Sequence, residues 1–223
     1  DDAAANCNRR AAALADAWFE GDPEAGEYRV YRAHNRHFLA WAATMQGRRR
    51  EALSASRAIE TEVPAALMEA FAPFSDGVSA SKWHVLVRFG MWQEILKEPG
   101  PPEWALVGKA MQHYAKGIAY ANTERHEEAA EEIAALDDAV EKLVGKERKL
   151  GNQPASEVMK IAQQILRGEA AFKAGRREEG LKELKKAVNV EEKIVYAEPA
   201  PWMMPARHAY GALLVVDGKY QEA

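Results

Sequence analysis

His34 and His37 stand three residues apart in a stretch, Val30 to Met45, whose apolar spacing reads as helix. Side chains three apart share one helix face, with Cβ atoms about 5–6 Å apart. Two imidazoles so placed can take one transition metal, with His84 as a third ligand from the next helical unit. The pattern offers no carboxylate or thiolate at a matching place: Glu169 lies two units further on, and Cys7 is the sole cysteine. The plainer reading is that one histidine hydrogen-bonds a neighbouring helix and the other lines a polar groove. Imidazole titrates near neutrality, so proton transfer by His37 or His84 is a further chemistry to weigh. No nucleophile stands beside a positioned base, and phosphate-cradling glycine loops are absent, so the expectation is a protein that is not an enzyme.

Other side chains suit binding. Trp41, Trp83, Trp92, Tyr114 and Phe172 could floor a site for a peptide or small ligand, although Trp83 and Trp92 read better as packing between helices. Arg88, Lys116 and Lys173 are candidates to clamp a ligand carboxylate. His113 reads as a packed, hydrogen-bonded histidine, and the acidic run from Glu124 to Glu141 as a solvated face.

The composition narrows the classes. A net charge of −4 argues against a nucleic-acid binder, because proteins that neutralise phosphates are usually basic. Arg48-Arg49-Arg50 is the one dense basic run, and it falls in a turn. No long stretch is free of charge, so no transmembrane span is expected. A lone cysteine forms no intrachain disulfide. The sequence opens Asp1-Asp2-Ala3 without an initiator methionine, which reads as a processed, trimmed or partial chain.

What must position these residues is a repeated phrase. Gly47-Arg48-Arg49-Arg50-Glu51-Ala52, Gly90 to Ile95, Gly175 to Gly180 and Gly218 to Ala223 follow one pattern. A further copy, Glu124 to Ala129, lacks the leading glycine. Each follows a helix-periodic apolar stretch, as a helical hairpin turn does. The spacing predicts helices over 3–19, 30–45, 51–63, 79–89, 103–121, 127–144, 156–174, 178–196 and 205–216, with a stub at 93–97. Residues 65–74 read as a short helix or loop broken by Pro73 and Gly77, residues 151–154 as a loop and residues 198–201 as a linker. No β-sheet is expected.

The copies resemble tetratricopeptide repeats, which carry a small residue seven positions before the turn glycine and another five after it. The pairs here are Ala40 with Ala52, Gly117 with Ala129, Gly168 with Gly180 and Gly211 with Ala223; Trp83 with Ile95 departs. Gly47 and Gly90 are 43 residues apart, against about 34 in a regular repeat, so the copies are divergent. The resemblance implies an all-α, right-handed superhelical solenoid. It forms a single domain over 1–223, with helix pairs at about 1–20 (partial), 28–63, 76–98, 103–145, 155–197 and 204–223 (partial). The segments Tyr31 to Leu39, Arg88 to Leu96, His113 to Gly117 and Pro201-Trp202 are similar to a group of large bacterial tetratricopeptide-repeat proteins, many of them exported. That likeness implies a periplasmic or extracellular placement over a cytoplasmic one.

In such a solenoid the first helix of each pair faces a concave groove. By that layout the groove residues are His34, His37, Trp41, Met45, His84, Arg88, Tyr114, Asn122, Glu169 and Lys173, with His208 in the last unit. The leading expectation is a scaffold that holds a protein segment or peptide there. One alternative is a metal or small ligand at the histidines, with His34, His37 and His84 as metal ligands. The other is end-to-end stacking of copies, because the Ala-rich start and the Gly218 to Ala223 end lack a polar capping face, with Tyr220 expected to pack on the preceding helix.

Overall fold

The computed structural model describes residues 2–21 and 29–223. The start of the pair at position 28 lies outside the described residues. The described chain is all-α apart from one minimal hairpin. The long helices are α1 (Asp2–Gly21), α2 (Arg29–Met45), α3 (Arg49–Glu62), α8 (Leu106–Asn122), α9 (His126–Glu141), α10 (Ala155–Lys173), α11 (Arg177–Glu191) and α12 (Ala206–Val216). Shorter ones between them are α4 (Ala65–Ala70), α5 (Ala72–Ser79), α6 (Ser81–Arg88) and α7 (Trp92–Lys97). Helix α2 packs on α3, α8 on α9 and α10 on α11, while α8 also packs on α6 and α10, and α10 on α12.

The repeated phrase makes one turn each time it occurs. The Arg48 amide donates to the Ala43 carbonyl at 2.8 Å, and the same bond recurs from Met91 to Leu86, Arg176 to Ala171 and Lys219 to Leu214. This Schellman closure puts one residue in the left-handed region, a place for glycine. Gly175 has φ of 86°, and Glu124, where the glycine is missing, still adopts φ of 62° while Arg125 bonds back to Tyr120. Hairpin geometry outlasts the loss of its signature residue. The small pair has its packing reason at Gly168 and Gly180: a Cβ on Gly180 would sit 2.6 Å from the Gly168 carbonyl oxygen.

Three expectations are corrected. The expected short helix, α4, does end at its cap Phe71, shortly before Pro73, but Pro73 itself opens a new helix, in the first turn of α5, where a missing N–H costs nothing. Gly77 lies inside α5 because a Cβ there would meet the Lys149 carbonyl oxygen and the Leu150 side chain at 2.8 Å. Those two residues belong to a two-stranded antiparallel ladder, β1 (Lys149–Leu150) and β2 (Gln153–Pro154), in the stretch expected to be loop. Its turn begins at Gly151 with φ of 59°, as a two-residue hairpin loop requires. Tyr220 is 72% exposed and does not pack on α12.

The main core runs from Ala80 to Leu214 and includes Trp83, Ile95, Met111, Leu136, Leu166 and Trp202. Trp83 and Ile95, the pair that departs from the small-residue rule, are both fully buried. Buried Asp76 joins layers: its carboxylate accepts the Val107 and Gly108 amides at 2.8 and 3.0 Å, capping α8 from α5, and Arg148 approaches it at 3.2 Å. Burial pushes this carboxyl up, while the two amides and Arg148 pull it down.

Candidate functional site

The apolar stripes of α2, α6, α8 and α10 turn some polar side chains of each helix toward a shared face. Two adjoining cavities open there. The smaller, about 150 Å³, is lined by His34 and His37 from α2, His84 from α6, Gly77 and Val78 from α5, the tip of the hairpin and residues 198–201 and 203. The larger, about 350 Å³, is lined by His84, Arg88, Tyr114, Ile165, Glu169, Trp202 and α12 residues including His208 and Ala212. His84 belongs to both.

The three histidines expected to converge do share a cavity. Among the described residues, however, no three His, Cys, Asp or Glu side chains are placed to hold one ion. Their surroundings disfavour charge. Burial, and then the neighbouring His34, lower His37 to about 4. Burial, and then His37, lower His84 to about 3. His34 is exposed, is lowered by its own partial burial, and meets the Phe38 ring at a tilt, 4.6 Å between ring centres. Neutral imidazoles against an apolar wall form a polar pocket lining.

In the larger cavity the unusual group is Glu169. It is half-buried on α10 and accepts a hydrogen bond from Asn122 Nδ2 at 3.2 Å. Burial pushes its carboxyl up, opposed by Asn122 and by the more distant charge of Lys173. Tyr114 is buried, and burial together with Glu169 holds its phenol well above the usual range. Arg88, which lines this cavity, and Lys173 are both exposed. Of the expected groove residues, Trp41, Met45 and Asn122 line neither cavity; Asn122 reaches the larger one through its hydrogen bond to Glu169, and Lys173 acts on it through its charge. The aromatic floor divides: Trp83 and Phe172 are core, Trp92 packs on the core, and of the expected five Tyr114 alone borders either of these two cavities. His113 bonds Glu132 at 2.6 Å, linking α8 to α9.

The residue that sequence reasoning missed is Trp202. The connection between α11 and α12 does not skirt the surface. It runs into the shared face, where Trp202 and Met203 are each 2% exposed. The Trp202 ring meets His84 at 4.4 Å and Tyr114 at 5.3 Å, both edge to face. Its Nε1 is buried without a hydrogen-bond partner. Pro201 wedges against the hairpin, where a Cβ on Gly151 would lie 2.8 Å from it. At the far end Glu191 caps α12 by accepting the Ala206 amide at 2.9 Å. A signal was present: a tryptophan after two prolines, in a connection far longer than the other helical hairpins use.

No protein-family description matches the chain, and neither the curated proteins nor the solved structures contain a significant match. Among the described residues no helix is long and apolar enough to cross a membrane.

Proposed function

We propose that the chain is a tetratricopeptide-repeat-like solenoid scaffold that holds an extended segment of a partner protein along the face shared by α2, α6, α8, α10 and α12. The observation that carries this reading is the chain's own use of that face. Residues 198–205 already lie there as an irregular, bent segment, anchored by Trp202 between His84 and Tyr114. A surface that accepts one irregular segment through an aromatic anchor has the chemistry to accept another beside it. The larger cavity is the open continuation of that track. The test is selection from a random peptide library, with affinities then measured on Ala212→Trp. Ala212 is exposed and lines the larger cavity, so its enlargement fills the groove without entering the core. Selected peptides should bind this variant at least tenfold more weakly, with unchanged circular dichroism. Equal binding would place the peptide site elsewhere.

A second reading, association of copies end to end, rests on a separate observation. Leu14 on α1 and Val216 and Tyr220 near the other end of the described chain are 69%, 62% and 72% exposed.

A further inference from the structure

We infer that the larger cavity is a socket for an alkylammonium group, the side chain of a lysine in the bound segment, with Glu169 as its counter-charge. This identifies the chemistry of the groove ligand and rests on the groove reading above. Most other shielded carboxylates of this molecule meet a cation. Half-buried Glu62 is paired with Arg36 at 2.7 Å, Glu98 with Lys82 at 3.4 Å and Glu132 with His113 at 2.6 Å, and buried Asp76 is paired with Arg148 at 3.2 Å, while half-buried Glu191 serves as the cap of α12, accepting the Ala206 amide. Glu169 has a single neutral donor, Asn122, and no cation in ion-pair contact among the described residues. A desolvated carboxylate with one amide donor is short of compensation, and a cation brought by a ligand supplies it.

The walls agree. Tyr114 and Trp202 are the rings beside the carboxylate, and aromatic rings attract ammonium groups. Val87, Ile165 and Met204 line the approach with apolar surface suited to a methylene stem. The rival ligand is a carboxylate clamped by Arg88 and Lys173. Both cations are exposed and keep their water, so they gain little from an anion, and that anion would face Glu169. The charged and titratable groups around Glu169 are Tyr114 from α8, His84 and Arg88 from α6, His208 from α12 and Lys173 on its own helix.

The probe is Nα-acetyl-lysine methylamide, titrated by NMR at neutral pH against the norleucine methylamide of nearly equal shape and the acetyl-glutamate methylamide. The lysine compound should bind at least tenfold more tightly than norleucine and shift resonances of Tyr114, Glu169 and Ala212. Glu169→Gln should remove that preference, and Lys173→Met, which deletes a competing cation, should strengthen binding several-fold. Equal binding of norleucine, an unchanged Glu169→Gln variant, or a glutamate preference that disappears with Arg88→Gln would each overturn the inference. Peptides selected into the groove without a lysine would also overturn it while leaving the groove reading intact. Lysine amide bound at Glu169 with no peptide selected would uphold the socket and reject the groove reading.

Discussion

His84 shows how one side chain carries structure and a testable charge state together. It is 6% exposed, edge-on to Trp202, and held neutral down to about pH 3 by burial and then by His37. In the unfolded chain the same imidazole titrates at the ordinary histidine value of 6.5. Below that value the unfolded chain gains a proton that the folded one refuses. The stability that follows is therefore complete above pH 6.5 and is lost as pH falls toward the folded value. From well above pH 6.5 down to pH 5 this amounts to about 2 kcal/mol for one histidine. Urea midpoints measured across that range should fall, and in His84→Gln the slope should be smaller by about one proton. Equal slopes in the two proteins would mean that His84 is already charged in the fold.

At the scale of elements, the turns separate backbone strain from packing. Gly175 has φ of 86° and open space where a Cβ would go, so Gly175→Ala should cost about 1 kcal/mol from the backbone alone. Glu124 holds φ of 62° at the equivalent place, so Glu124→Gly should gain about the same. Gly180→Ala drives a methyl into the Gly168 carbonyl and the Phe172 backbone and should cost about 1–3 kcal/mol. Thermal unfolding of the three variants checks the order; a Glu124→Gly no more stable than the parent would show that the turn carries no strain. These elements were legible from sequence because hairpin turns and small-residue pairs are local patterns. The α5–hairpin contact was not, because Gly77 is small to admit Leu150, 73 positions away. The Trp202 anchor was hidden for a similar reason: a proline-rich connection reads as a linker until the groove beneath it is known. The repeat layout marks Glu169 as a groove residue, but its lack of an ion partner among the described residues depends on where α8 and α10 meet.

For the whole molecule, the stacked hairpins leave apolar side chains uncovered near each end of the described chain. Exposed Val215, Val216 and Tyr220 near α12 should promote association as concentration rises. Light scattering should report a mass that grows with concentration, and Val216→Lys with Tyr220→Lys should suppress that growth. A monomer at every concentration would remove the end-to-end reading and leave the groove reading untouched. The groove claim has its own most direct measurement, the NMR map of a library-selected peptide bound to the chain. Its largest shifts and intermolecular contacts should fall on Val87, Arg88, Tyr114, Ile165 and Ala212, in the track beside Trp202. Contacts confined to the outer helices α9 and α11 would contradict it.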